Sequence, residues 1–271
     1  MLKGRHIDIM GIVNLTDDSF YAASRCMELG SVIKRVQQML DEGATIIDFG
    51  ACSSRPGSEP VGPEEEWNRL EPVLKEVREM WPELEVSVDT SWSYVVSKAY
   101  DILGKFIVND ISAGEDDPQM LPLVGKLGLK YIAMHKRGDS KTMQSMTDYE
   151  DVVDDVIAFF EDFAVKAEAN GVKYWILDPG FGFAKTVSQN YQMMRNLRKF
   201  RRPYPSCPRP KILVGVSRKS MIYKALSITP EESLPQTQVL HLKALQEGAD
   251  MLRVHDIAEA KRTVEVYWRL C

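Results

Sequence analysis

Eight times along this chain a short apolar run recurs, polar residues stand at or near the ends of most of them, and helical patterns follow seven of the eight. Few folds accept that repeat. The runs cover residues 7–13, 46–49, 86–90, 106–110, 131–135, 174–178, 212–215 and 251–255. Short apolar runs alternating with helices imply a parallel sheet covered by those helices. Helical patterns occupy 31–43, 63 to about 81, 93–103, 119–127, about 148–170, 188–200 and 258–270. Pro63 followed by Glu64, Glu65 and Glu66 marks a helix start, and Gly43 and Gly171 mark helix ends. The loop at 203–210 carries four prolines.

Eight strand-helix units in 271 residues favour a closed (β/α)₈ TIM barrel, a single domain over 1–271, rather than an open doubly wound sheet. An open sheet needs a phosphate-binding glycine fingerprint after its first strand. The first strand here runs instead into Asn14-Leu-Thr-Asp-Asp. No linker divides the chain.

Composition narrows the partners. A net charge of −5 gives nonspecific nucleic-acid binding no electrostatic support. No apolar run is long enough to span a membrane, and no signal core follows the first residues. The four cysteines are scattered, which fits free thiols in a reducing cytoplasm.

In a barrel, chemistry lies at the C-terminal ends of the strands. Those ends carry Asn14, Asp48, Asp89, Asn109, His135, Asp178, Ser217 to Lys219, Arg253 and His255. Any single one is simply explained as a cap for the next helix. A ring of them at one mouth is not, because clustered charges need a partner. Asp89, Asn109, Asp178 and Lys219 suit a flat heterocycle with a guanidine-like edge. Asn14, Ser54, Arg55, Arg253 and His255 suit a phosphate or diphosphate, and the Asn14 oxygen suits Mg²⁺ beside it. Arg218 and Lys219, leaving a buried strand, suit an anionic or carbonyl-rich ligand or else a solvated helix start. Phe181 and Phe183 in Asp178-Pro-Gly-Phe-Gly-Phe183 wall an aromatic pocket or pack a tight turn. His135 reads as structural, and His6 and His241 as bystanders.

The order of motifs resembles the dihydropteroate synthases. It runs from Met10-Gly-Ile-Val-Asn-Leu-Thr-Asp-Asp-Ser-Phe20 and Gly43-Ala-Thr-Ile-Ile-Asp48 to Ser53-Ser-Arg-Pro-Gly57 and Val86-Ser-Val-Asp-Thr90. Val108-Asn-Asp-Ile-Ser112, the Asp178 glycine turn, Gly215-Val-Ser-Arg-Lys-Ser220 and Arg253-Val-His-Asp256 complete it. The resemblance implies a homodimeric barrel enzyme joining a dihydropterin pyrophosphate to para-aminobenzoate, with Mg²⁺ and release of pyrophosphate. It implies pterin contacts from Asp89, Asn109, Asp178, Lys219 and Arg253. Pyrophosphate contacts are implied for Ser54, Arg253 and His255, with Asn14 on Mg²⁺ beside them. Phe20, Pro56, Phe183, Lys219 and Ser220 would border the aminobenzoate. Asp18, Arg55 and Lys219 would be catalytic.

This chain departs from the family pattern at Asp17, where proline is usual, and at Cys52 and Ser54, where glutamate and threonine are usual. It departs again at Pro235-Gln236, at the start of the last long helix before the eighth strand. A pterin-binding methyltransferase would share the pterin-facing residues but not the diphosphate set. A silent pterin-binding paralogue is the reading from a different class.

Overall fold

A computed structural model describes residues 6–15, 25–52, 61–139, 141–205 and 207–271. Eight parallel strands pair in sequence order: β1 (Asp8–Asn14), β2 (Ile46–Gly50), β3 (Glu85–Asp89), β4 (Ile107–Asp110), β5 (Lys130–Met134), β6 (Tyr174–Asp178), β7 (Lys211–Val214) and β8 (Met251–Val254). β8 pairs with β1 through Met10 opposite Arg253, which closes the barrel. Around it lie α1 (Arg25–Glu42), α2 (Pro63–Met80), α3 (Ser93–Leu103), α4 (Met120–Leu127), α5 (Val152–Ala169), α6 (Val187–Arg195), α7 (Ser220–Leu226), α8 (Leu234–Gln246) and α9 (Ile257–Leu270). The expected (β/α)₈ barrel is thus observed, with two helices after β7.

Period-two alternation gives each strand two buried faces. Outward-facing Ile47, Phe49, Val86, Val88, Val108, Tyr131, Trp175, Leu177, Val214 and Val254 pack under the helices. Inward-facing Met10, Ile46, Ile107, Ile132, Ile176, Leu213 and Met251 form a separate cluster, a plug across the barrel axis. Two positions further along four of these strands the plug gives way to Asp48, Asn109, Asp178 and Arg253. The same alternation that seals the barrel therefore lifts the polar side chains into its mouth. At the opposite end, Asp8 pairs with Lys211 and His6, and Lys130 pairs with Glu85.

Some boundaries differ from the sequence reading. α1 begins at Arg25 and runs through Gly30, at a propensity cost of about 1 kcal/mol that the amphipathic helix absorbs. The pattern at 188–200 is α6 followed by a 3₁₀ turn, because Asn196 folds its side chain onto Gln192 O and ends the helix. α5 starts where Asp151 accepts from the backbone N–H groups of Val153 and Asp154. Pro235 falls in the first turn of α8, where its missing N–H costs nothing. Of the three acids opening α2, Glu66 turns inward and is buried. Burial pushes its carboxyl up to about 7.

The turn after β4 hangs on Asp110, which is fully buried. Its carboxylate accepts from Ser112 N and Oγ, Ser91 Oγ, Gly114 N and Tyr131 Oη. Tyr131→Phe leaves one carboxylate oxygen short of a donor, so we expect a loss of about 1–3 kcal/mol in urea unfolding. An unchanged midpoint would refute that role for the hydroxyl.

Candidate active site

The mouth is built around one guanidinium. Arg253 donates from Nε to Asp48 Oδ2 and from Nη2 to Asp89 Oδ2, each at 2.7 Å. Asp48 is wholly buried; it also accepts from Ser87 Oγ at 2.6 Å and from Asn109 Nδ2 at 3.0 Å. One cation thus serves two carboxylates, with Asp178 close enough to add to their field. Burial lifts the Asp89 pKa; Arg253 opposes that shift, and Asp48, Asp110 and Asp178 reinforce it. Burial works against the Arg253 charge too, but Asp48 and Asp89 more than reverse it. The site therefore has more acceptor capacity than its own donors satisfy. A ligand rich in N–H groups relieves that imbalance.

Lys219 and Asp178 stand across the mouth. Asp178 Oδ1 accepts from Gly180 N at 2.8 Å. Burial raises its pKa and Lys219 opposes the rise. Lys219 caps α7, donates to Phe181 O at 2.6 Å and lies 4.7 Å from the centre of the Phe183 ring. Burial lowers the Lys219 ammonium to about 8, with Asp178 opposing and Arg253 assisting. Between the two cations lies Gly215. A Cβ there would sit 3.9 Å from both Arg253 Cβ and Lys219 Nζ, so the bare backbone at this point borders both side chains.

The outer rim holds His255, Ser217 and Asn14. His255 Nδ1 lies 3.2 Å from Ser217 Oγ, and Arg35 Nη2 donates to His255 O at 2.8 Å. Partial desolvation and the Arg253 charge hold the imidazole below its ordinary range. Asn14 is exposed at the end of β1. Ser220 opens α7. Asp18, Phe20, Ser54, Arg55 and Pro56 lie outside the described residues. The segments that carry them leave adjacent strands, where Leu15 N donates to Gly50 O at 2.7 Å. Cys52, at the start of the second segment, is half-buried, and burial raises its thiol pKa. It is not poised as a thiolate.

Arg218 does not face the mouth. It grips Asp256 with Nε and Nη2, both at 2.9 Å, and donates to the Pro230 and Glu231 carbonyls. It is a strut joining the exit of β7 to the starts of α8 and α9. Two residues gain importance in the structure. Asp48 was legible as a strand end, but its hold on Arg253 and Asn109 was not. Lys185 gave no signal at all and is taken up below. His135 is packed and buried against Phe159.

The pterin-binding enzyme family matches residues 10–255 of this chain. The dihydropteroate synthase of Haemophilus influenzae is 38% identical over 262 residues, spanning 96% of this chain and 92% of the relative. The chain belongs to the dihydropteroate synthase family. Among solved structures, the Clostridium difficile dihydropteroate synthase, obtained in the presence of pteroic acid, superposes with a TM-score of 0.88. It is 32% identical and the match covers 100% of this chain and 99% of that one. The Xanthomonas albilineans dihydropteroate synthase with 4-aminobenzoic acid gives a TM-score of 0.86 at 31% identity, covering 98% and 93%. Family membership and the closed parallel barrel agree.

Proposed function

We propose that this chain condenses 6-hydroxymethyl-7,8-dihydropterin pyrophosphate with para-aminobenzoate, giving 7,8-dihydropteroate and pyrophosphate. The observation that carries this reading is the surplus of buried carboxylates around Arg253, with Lys219 close by across Gly215. The aminopyrimidine edge of a pterin supplies the missing N–H donors to Asp178, Asp89 and Asn109. Its ring carbonyl meets Lys219, and the Arg253 guanidinium lies against its face.

The diphosphate then points to the rim, toward Asn14, Ser54, Arg253 and His255. The amide oxygen of Asn14, exposed at the mouth, fits a cation that keeps most of its ligands as water and phosphate oxygens, as Mg²⁺ does. Mg²⁺ would supply charge neutralisation to the leaving diphosphate. Phe20, Pro56, Phe183, Lys219 and Ser220 border the amine. Asp18 stabilises positive charge at the exocyclic carbon, and Arg55 steadies the departing anion. The carbon–oxygen bond to diphosphate breaks first, pushed by the electron-rich ring. The aniline nitrogen then bonds to that carbon and loses its proton to water. A secondary deuterium isotope effect near unity at the exocyclic carbon would sink this order of steps.

The decisive experiment supplies dihydropterin pyrophosphate, Mg²⁺ and para-aminobenzoate to the purified chain and measures pyrophosphate. Release that requires the amine is expected. Tight pterin binding with no release would leave a binding protein.

The Lys219 shift gives a pH prediction. Its ammonium is lost as pH rises through about 8, so kcat/KM for the pterin should fall on that alkaline limb. A flat profile to pH 9.5 would remove the ammonium from the mechanism.

The dimer and the cytoplasmic setting belong to the same proposal. Leu226, Val239, Val266, Trp268 and Leu270 leave large apolar side chains exposed on α7, α8 and α9. The family likeness is what supports a homodimer, and these helices offer apolar side chains to its interface. Cys207 and Cys271 are free thiols, which suits a reducing compartment.

A further inference from the structure

Lys185 lies outside every motif quoted above, yet it is folded inside the protein, 4% exposed. Its Nζ is 2.9 Å from His135 Nδ1, 2.9 Å from Phe183 O and 3.1 Å from Gly180 O. An ammonium has three N–H donors, and here it meets three neutral acceptors. Burial, assisted by the Lys185 and Arg137 charges, keeps His135 neutral. Its Nδ1 is therefore the acceptor and its Nε2 carries the hydrogen.

The two carbonyls bracket the turn that follows β6. Phe183 N donates to Gly180 O at 3.1 Å, and Gly182 N to Asn190 Oδ1 at 2.8 Å. Three residues of this stretch sit in left-handed backbone: Gly180 at φ 71°, Gly182 at 85° and Ala184 at 51°. For alanine that conformation is strained and persists only where surrounding contacts over-determine it. A Cβ on Gly180 would fall 1.9 Å from His135 O, so β5 and the turn are in close contact. Within the bracket lie the two groups that meet Lys219: the Phe181 carbonyl, which accepts from its Nζ, and the Phe183 ring, which lies beneath it.

We propose that Lys185 is a positioning residue for the amine-facing wall of the site, its ammonium holding the turn that places Phe183 and aims Lys219. The inference rests on the reaction assigned above. It separates the two halves of the site. The Asp89 and Asn109 side chains are fixed by strands and by Asp48 and Arg253, independently of Lys185. Lys185 therefore acts chiefly on the para-aminobenzoate half and reaches the pterin through Lys219 alone. Burial pulls the Lys185 ammonium well below the ordinary lysine range, with Asp178 opposing and Lys219 assisting; while charged it disfavours the Lys219 ammonium, so removing it lets that charge persist to higher pH.

Lys185→Met keeps the length of the side chain and deletes the three donors. In the full chain with both substrates, the KM for para-aminobenzoate should rise about tenfold or more, since small misplacements are costly. The Kd for dihydropterin pyrophosphate should change far less, by about threefold at most, because Lys219 is the one pterin contact that the turn aims. The alkaline limb should move to higher pH. The ¹⁵N resonances of His135 should report a fixed Nε2–H tautomer in the parent and its loss in the variant. A folded variant with unchanged KM and an unmoved limb would overturn the proposal. Should Lys185→Met not fold, His135→Leu deletes one acceptor and should raise the same KM by a smaller factor; no change there would overturn it equally. Failure of the parent to release pyrophosphate would refute the reaction instead, leaving the His135 tautomer still measurable.

Discussion

Arg253→Met should cost about 3–5 kcal/mol of stability, because removing one partner of a buried ion pair strands the other. Here it strands two carboxylates, Asp48 and Asp89. The loss should depend on pH, and its sign follows from the direction of the Asp89 shift. A buried carboxyl with a raised pKa binds its proton more tightly folded than unfolded. The variant should therefore regain stability as pH falls below the raised value, and lose it as pH rises. Urea unfolding at pH 5.5 and 8.5 measures this. Arg253→Met combined with Asp48→Asn should recover part of the loss. A variant as stable as the parent at pH 8.5 would mean that solvent, not Arg253, balances the two acids. Turnover should be undetectable, since the proposed reaction has this side chain serve both pterin and diphosphate.

Lys219→Ala should lower kcat/KM by about 10²–10³, the usual consequence of losing a charged donor aimed at the reacting ligand. It should leave the fold intact, because Lys219 caps a short helix without a side-chain bond to it, and its Nζ meets only a carbonyl and a ring face. The alkaline limb assigned to its ammonium should vanish with it. Retention of that limb in the residual activity would move the titration to another group. Full activity would remove Lys219 from the chemistry altogether.

Strand positions were legible because barrel strands are short, apolar and end abruptly in polar residues. The mouth was legible for the same reason: Asp89 and Asp178 close their strands, and Asn109 and Arg253 stand one residue before the end of theirs. What escaped were facts that depend on distant partners. Arg218 reads as a ligand group until Asp256, 38 residues on, is found in its grip. Asp48 reads as one more strand end until Arg253, 205 residues away, closes onto it. Lys185 is the hardest case, since lysine is a surface residue by default and only the glycine turn folding over it makes three acceptors available. Gly30 misled in the other direction: a helix that buries one face can carry an unfavourable residue through its middle.

The plug of Met10, Ile46, Ile107, Ile132, Ile176, Leu213 and Met251 makes the barrel a cup rather than a tube. Everything that arrives or departs must use one opening. On the proposed seating, with the pterin deepest on Asp89, Asn109 and Asp178, it has to be loaded before the amine lies over it. The finished product cannot withdraw while anything occupies the rim. Traffic through a single doorway imposes a sequence on substrates and products even where chemistry does not, and it leaves an early-arriving amine as an obstruction.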